Sequence, residues 1–250
     1  MTDELLALRL IVVSQSPDYR HLLRRAAAAS KVPVEIAEAD DTAAAALAIA
    51  AGAELVFLDM ALGNATIGEV TAIARAAIKP PFTVLLSALA TSGPFPTDAL
   101  AIKPPALHEA KRLVEKAARV RSPTRVLLLD DSATMRSIMR RILVATRFPL
   151  ELSEADQGGE AIELARKIDF DIVFLDYNLP GFNGLETMAE FRREKRNPMF
   201  VLITSTQDEA VRERALAQGA VFLKKPFFPI DIEALLCDFY GLRALNPHRA

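Results

Sequence analysis

The sequence is poor in the features that mark secreted, membrane and nucleic-acid-binding proteins. Its 250 residues include a single cysteine, Cys237, so no disulfide can form within the chain, which fits a reducing compartment. The formal net charge is only −2, without the basic excess that nucleic-acid binding usually needs. The N-terminus lacks the basic start of a secretory signal, and the apolar stretch 43–53 is too short to span a bilayer. We therefore expect a cytoplasmic protein that binds neither nucleic acid nor membrane.

The chain repeats itself over a long period. The run 54–59, Glu-Leu-Val-Phe-Leu-Asp, matches the run 171–176, Asp-Ile-Val-Phe-Leu-Asp, almost letter for letter. Lys103-Pro104 matches Lys225-Pro226 in the same way. Two copies of one structural unit are therefore expected in tandem.

Each copy alternates short apolar runs with stretches of helical spacing, which predicts a parallel sheet covered by helices on both faces. We predict an α/β protein of two flavodoxin-like (βα)5 doubly wound domains, each with strand order 2-1-3-4-5. The predicted limits are 1–120, a linker at 121–123 that contains Pro123, and 124–250. Apolar residues at helical spacing mark the expected inner helix faces of the second copy: Ile138 and Ile142, then Ile162, Ala165 and Ile168, then Leu185, Met188 and Phe191.

Polar side chains end four apolar runs of the second copy. Asp130 and Asp131 follow the first run, Asp176 ends another, and Thr204 and Lys225 end the last two. Because the carboxyl ends of parallel strands meet at one edge of a sheet, we expect these side chains to share a crevice. Three carboxylates, a hydroxyl and an amine can hold a divalent metal ion and accept a phosphoryl group on an aspartate. Without metal, the carboxylates should raise one another's pKa values.

Each of these residues also has a simpler structural interpretation. An aspartate pair after a strand often only caps the next helix, and Asp176 could form a turn before Leu179-Pro180-Gly181. Their joint occurrence at successive strand ends favours a common site over coincidence. We also hypothesise that the Lys225-Pro226 peptide bond is cis.

The second copy resembles the receiver domain of two-component response regulators. The resemblance covers about 124–243 and rests on Asp130-Asp131, Asp176 with Leu179-Pro180-Gly181, Thr204-Ser205, Phe222 and Lys225-Pro226. It implies that Asp176 is the phosphoacceptor and that Mg²⁺ is bound by Asp131, Asp176 and the backbone carbonyl of Asn178, with Asp130 acting through a water. It also implies that Thr204 and Lys225 contact the phosphoryl group.

The same resemblance implies a switch in which Thr204 moves inward on phosphorylation and Phe222 turns inward after it. Alternatively, Phe222 is a plain core side chain. Phe227 and Phe228 are equally compatible with a partner contact and with a core position.

The first copy resembles the same family more weakly, over about 8–120. Ser14 and Gln15 replace the acid pair, and Leu100 replaces the switch aromatic. Asp59, Ser87 and Lys103 stay in register. We therefore expect a pseudo-receiver that accepts phosphate poorly or not at all and serves in docking, dimerisation or restraint. Glycine and prolines within 88–97 predict that the fourth helix of this copy is lost or reduced to a turn.

The leading functional expectation is a response regulator without an effector domain, not a turnover enzyme. It would take its phosphoryl group from a histidine kinase or a histidine phosphotransfer protein and signal to a downstream protein target, and a homodimer is left open. One alternative is a phosphate sink or scaffold in a phosphorelay. A remote one is an aspartyl-phosphate phosphatase of the haloacid dehalogenase type, although Asn178 stands where such enzymes want a second acid.

Overall fold

The computed structural model describes residues 7–88, 97–181, 183–205 and 208–245. The chain divides into two compact units, the first comprising Met1–Ser122 with Ala234–Ala250 and the second Pro123–Glu233. The division falls within the last helix, so residues from Ala234 onward group with the first unit. The limits 1–120 and 124–250 given by the sequence stay a prediction.

The first unit alternates strands and helices along the chain. Its strands are β1 (Leu8–Val13), β2 (Val34–Ala39), β3 (Leu55–Asp59), β4 (Phe82–Ser87) and β5 (Ala99–Ile102). Its helices are α1 (Pro17–Ala28), α2 (Thr42–Ala50), α3 (Asn64–Ala76) and α4 (Leu107–Ala118), with 3₁₀ turns at Met60–Leu62 and Arg119–Arg121. The expected loss of the fourth helix falls on residues 89–96, which lie outside the described residues.

The second unit repeats this alternation. Its strands are β6 (Thr124–Leu129), β7 (Leu150–Ala155), β8 (Ile172–Asp176), β9 (Met199–Thr204) and β10 (Val221–Lys224). The helices that follow them are α5 (Ala133–Val144), α6 (Gly158–Lys167), α7 (Gly184–Arg193), α8 (Glu209–Ala217) and α9 (Pro229–Phe239).

Each sheet is parallel and five-stranded, with orders β2-β1-β3-β4-β5 and β7-β6-β8-β9-β10. The predicted fold and strand order are confirmed in both units. The central strands β3 and β8 are apolar up to their final aspartates because helices cover both faces, and every residue of both strands is buried. The edge strands β2 and β7 are instead exposed or half-buried at every residue but their last. In this order β6 and β8 are neighbours, which brings their carboxyl ends to one crevice.

The helix faces were only partly predictable. In α7 the predicted residues Leu185, Met188 and Phe191 are all buried. In α5 the prediction is wrong, because the buried residues are Met139 and Leu143, while Ile138 is 43% exposed. In α6 Ala165 is buried and Ile162 is partly buried against the core, but Ile168 follows the last helical residue. None of the helices formed by the described residues is long and apolar enough to cross a bilayer.

Candidate functional site

Three aspartates meet at the carboxyl edge of the second sheet. One carboxylate oxygen from each of Asp130, Asp131 and Asp176 lies within 4.8 Å of the other two. Asp130 and Asp176 are buried, whereas Asp131 is exposed at the rim of the crevice. The neighbouring strands β6 and β8 produce this arrangement, because Asp130 directly follows β6 and Asp176 is the last residue of β8.

Lys225 directly follows β10, which is separated from β8 by β9, and its side chain contacts two of these aspartates. Its Nζ donates to Asp176 Oδ2 at 2.8 Å and to Asp130 Oδ2 at 3.4 Å. Its backbone N–H donates to the carbonyl of Thr204 at 2.8 Å, which continues the pairing of β10 with β9 beyond its last residue. The Lys225-Pro226 peptide bond is cis, as hypothesised. The amine and Thr204, which is fully buried, therefore lie at the same edge as the three acids.

The crevice holds three carboxyl groups and one ammonium group, that of Lys225. Burial raises the pKa of the Asp130 carboxyl, and the charge of Asp176 adds to this rise. The Ser132 N–H, which donates to Asp130 at 2.9 Å, and the Lys225 ammonium act in the opposite direction without cancelling it. The direction agrees with the sequence expectation, but burial and not mutual repulsion is the larger cause. For Lys225, burial lowers the pKa, yet its contacts with Asp176 and Asp130 outweigh this and raise it.

The turn after Asp176 is held close against the site. Gly184, the first residue of α7, donates its N–H to the carbonyl of Tyr177 at 3.0 Å. A Cβ at Gly184 would lie 2.8 Å from the Asp176 carbonyl oxygen and 2.6 Å from Leu202 Cδ1. Glycine is therefore required there for α7 to approach the end of β8. Asn183 caps this helix with Glu186 in a reciprocal capping box.

The donor set in the crevice fits a hard divalent cation. Carboxylate oxygens are the ligands that Mg²⁺ prefers, and a site exposed on one side leaves room for the waters it retains. The excess negative charge around Asp130 also favours a cation over an empty crevice. Within the described residues, this is the one group of three or more acidic, histidine or cysteine side chains with such spacing.

The corresponding site of the first unit is closed by its own side chains. Asp59 Oδ2 accepts hydrogen bonds from Ser14 Oγ and Lys103 Nζ, both at 2.6 Å, and Oδ1 accepts from the Ala61 N–H at 3.1 Å. Burial by itself raises the pKa of Asp59, but these hydrogen bonds outweigh it and hold the pKa below its usual value. Lys103 Nζ also lies 4.1 Å from the ring centre of the buried Tyr19. A single acid is thus neutralised internally.

Two predicted contributions lie at the site without an observed role. The backbone N–H of Asn178 donates to Asp176 Oδ1 at 3.3 Å, while its carbonyl as a metal ligand stays a prediction. Phe222 is half-buried in β10, and its part in a switch also stays a prediction. Phe228 is 63% exposed and Phe227 is half-buried.

Sequence reasoning missed an arginine and a glutamate behind the acid pair. Arg136 Nη1 donates to the Asp130 carbonyl at 2.7 Å, and its Nε donates to Glu154 at 3.3 Å. Arg20 and Glu38 hold the equivalent places in the first unit. Both residues recur at an offset of 116 positions (136 − 20 and 154 − 38), a signal that alignment of the two copies could have revealed.

Residues 126–236 match the family model described as response regulator receiver domain. The nitrate/nitrite response regulator protein NarL of Escherichia coli is 32% identical over 111 residues, which are 44% of this chain and 51% of NarL. The chemotaxis protein CheY-3 of Vibrio cholerae is 32% identical over 106 residues, which are 41% of this chain and 81% of CheY-3. The transcriptional regulatory protein ResD of Bacillus subtilis is 30% identical over 110 residues and is matched over 45% of its length. The chain thus spans about half the length of ResD and NarL.

A solved structure described as a probable two-component system response regulator/GGDEF domain protein resembles most of the chain. It aligns over 93% of this chain and 97% of its own, with a TM-score of 0.60 and 22% sequence identity. At that identity the likeness supports the tandem fold alone.

Proposed function

This chain belongs to the receiver family of response regulators, and we propose that its second unit accepts a phosphoryl group on Asp176 from a histidine kinase or a histidine phosphotransfer protein. The observation that carries the proposal is the meeting of Asp130, Asp131 and Asp176 with Lys225 at one sheet edge. The phosphorylated unit then acts on a downstream protein through a changed surface. In this proposal the chain accepts a phosphoryl group and later hydrolyses it from its own aspartate. It does not act as an enzyme on a separate substrate.

The transfer is a displacement at phosphorus. A carboxylate oxygen of Asp176 forms the new P–O bond, and the P–N bond of the phosphohistidine donor breaks. The electron pair of that bond stays on the imidazole nitrogen. Mg²⁺, when bound, supplies the positive charge that offsets repulsion between the carboxylate and the phosphoryl oxygens. Asp131, Asp176 and the backbone carbonyl of Asn178 would hold it directly, and Asp130 would act through a water.

Lys225 and Thr204 receive the transferred group. Lys225 already contacts Asp176 at 2.8 Å, so its ammonium can pair with a phosphoryl oxygen as that oxygen arrives on the carboxylate. Thr204, fully buried at the end of β9, donates a hydrogen bond to another oxygen in this proposal. Its inward movement would vacate space for the half-buried Phe222, which changes the surface around β10.

The first unit is proposed to be a pseudo-receiver. Ser14 and Gln15 leave no acid pair after β1, and Asp59 is already engaged by Ser14 and Lys103. Its role in docking, in homodimer formation or in restraint of the second unit is testable by size measurement. The proposed cytoplasmic location rests on the single cysteine and on the family.

The experiment treats the full chain with a small-molecule phosphodonor and Mg²⁺ and measures the phosphoryl adduct by intact-mass analysis. Wild type should gain one phosphoryl group, and Asp176→Asn should gain none. Asp59→Asn is the matched control, because it makes the same change at the equivalent strand end, and it should still gain one phosphoryl group. An adduct that survives Asp176→Asn but is lost in Asp59→Asn would assign the wrong unit.

A second measurement separates a signalling protein from a phosphate sink. Beryllofluoride mimics the phosphoryl group and can be added with Mg²⁺ to the full chain. A change in oligomeric state or in affinity for the kinase supports signalling through protein contacts. An unchanged assembly, together with rapid draining of phosphoryl groups from the kinase, would favour a sink.

A further inference from the structure

Arg136 closes a ring of contacts around the backbone of Asp130. The Asp130 N–H donates to the Ala155 carbonyl at 3.3 Å, and the Asp130 carbonyl accepts from Arg136 Nη1 at 2.7 Å. The same guanidinium donates through Nε to Glu154, the residue before Ala155, at 3.3 Å. Both main-chain polar groups of Asp130 are therefore tied to the end of β7, one directly and one through Arg136.

The first unit contains the same ring although its acid pair is gone. The Ser14 N–H donates to the Ala39 carbonyl at 3.0 Å, and the Ser14 carbonyl accepts from Arg20 Nη1. Arg20 Nε lies 3.4 Å from Glu38, the residue before Ala39. The ring of contacts therefore belongs to the backbone fold that both units share. In the second unit, the backbone held by this ring carries the carboxylates of Asp130 and Asp131.

We propose that Arg136 is a positioning residue for the cation site, which it serves by fixing the Asp130 backbone. The inference rests on the function proposed above. The Asp130 carboxylate leaves a backbone whose carbonyl is held by the guanidinium, and Asp131 follows directly. Without Arg136 that carbonyl loses its charged donor, so the two carboxylates are no longer held at one distance from Asp176.

The geometry suits arginine and not lysine. One guanidinium serves two acceptors at once, a carbonyl and a carboxylate, because its donors form a rigid planar fork. The Arg136 side chain is only 17% exposed, so solvent does not readily replace these contacts. Arg140 also binds Glu154, with Nε at 2.8 Å, but its side chain is 56% exposed. Arg140 therefore shares the ion pair with Glu154, and it is Arg136 that donates to the Asp130 carbonyl.

The test is isothermal titration of the full chain with MgCl₂, without phosphodonor. Arg136→Ala should weaken Mg²⁺ binding by about 10- to 100-fold, the usual effect of removing a group that orients a metal ligand. Arg136→Lys should fall between wild type and alanine, because an ammonium serves only one of the two acceptors well. A saturating Mg²⁺ concentration should restore the phosphorylation rate of Arg136→Ala.

Two matched controls separate positioning from general stability. Arg140→Ala removes the other cation that pairs with Glu154, and Arg20→Ala breaks the same ring in the unit that lacks the acid pair. Both should bind Mg²⁺ as wild type does. If either weakens binding as much as Arg136→Ala, or if Arg136→Ala binds as wild type, the positioning role is overturned.

If Arg136→Ala does not fold, the Mg²⁺ affinity of Arg136→Lys tests the positioning role. Weaker Mg²⁺ binding by that variant supports the proposal, and an unchanged affinity overturns it. Wild-type protein that binds no Mg²⁺ would instead overturn the proposed function itself, so the two failures are distinguishable.

Discussion

The same substitution, aspartate to asparagine at the end of β3 or β8, is expected to affect the two units unequally. In the first unit Asp59 is a single acid that accepts from Lys103 and Ser14. In the second unit Asp176 shares Lys225 with Asp130, and Asp131 lies in the same acid cluster. Asparagine keeps the shape and an acceptor oxygen but removes the charge, so it isolates the electrostatic part of each arrangement.

Asp59→Asn should destabilise the first unit by about 1.5–3 kcal/mol, the usual worth of a hydrogen bond to a charged group. Removing one partner of a fully buried ion pair costs more, about 3–5 kcal/mol. The lower figure applies because the Lys103 side chain is 27% exposed, although that of Asp59 is only 3% exposed. The ammonium can therefore recover part of its hydration when its partner is lost.

Asp176→Asn should change the stability of the second unit by less than about 1 kcal/mol before Mg²⁺ is added. At an effective dielectric constant of about 20, attraction to Lys225 over 2.8 Å is about 6 kcal/mol. Repulsion from each of Asp130 and Asp131 within 4.8 Å is about 3.5 kcal/mol or more. The opposing contributions nearly cancel, because solvent around the exposed Asp131 weakens its share of the repulsion.

Hydrogen exchange read by mass spectrometry measures each unit separately in the intact chain. Without Mg²⁺, peptides of the first unit should lose protection in Asp59→Asn, while peptides of the second unit should be little changed in Asp176→Asn. Equal losses of protection in the two variants would refute the expected balance of attraction and repulsion around Asp176. With saturating Mg²⁺ the wild-type second unit should gain protection by mass action, and Asp176→Asn should gain less.

The low pKa of Asp59 adds a pH dependence to this comparison. A carboxyl whose folded pKa lies below its unfolded value stabilises the fold above the unfolded pKa and loses that contribution as pH falls through the folded one. The gap in first-unit stability between wild type and Asp59→Asn should therefore be full above about pH 4 and narrow on further acidification. A gap that widens as pH falls would contradict the ion pair as its source.

Two further substitutions probe the site directly. Ser14→Asp with Gln15→Asp should give the first unit a cation site, seen as a second Mg²⁺ equivalent in titration, and a stoichiometry still at one would contradict the account of its loss. Gly184→Ala should lower second-unit stability by about 1–3 kcal/mol in urea unfolding, because its Cβ would meet Asp176 and Leu202 at 2.8 and 2.6 Å. An unchanged midpoint would show that α7 can move away from β8 at little cost.

The strand order and the acid cluster could be predicted from sequence because both depend on strand ends. Buried parallel strands leave continuous apolar runs, and the first polar residue after each run marks the sheet edge. Asp130, Asp176 and Lys225 stand at such ends, so topology alone brings them together. The prediction needed no side-chain geometry, only the order in which the strands lie.

The buried face of α5 could not be predicted in the same way. Ile138 and Ile142 are four residues apart, and so are Met139 and Leu143, so helical spacing supports two adjacent stripes equally. The sheet selects Met139 and Leu143, and Ile138 remains 43% exposed. Local periodicity gives the presence of an amphipathic helix, but the rotation of that helix is decided by packing.

The contact of Arg136 with the Asp130 carbonyl was hidden for a different reason. Its acceptor is a backbone atom, which leaves no trace in the residue types, and its second partner lies on another strand. The same contacts recur through Arg20 and Glu38 in the first unit, which shows that the arrangement is common to both units.

That recurrence also explains how the first unit keeps the same fold without an acid pair after β1. The ring of contacts through Arg20 uses the backbone carbonyl of Ser14. A serine in place of an acid at this position therefore leaves the ring intact. The Ser14 hydroxyl then donates to Asp59, and Lys103 balances the remaining charge. In the second unit Lys225 faces three acids and cannot balance them alone. In the proposed function, the requirement for Mg²⁺ is set by the charge at two positions after the first strand of a unit, and the remainder of the fold does not have to change with it.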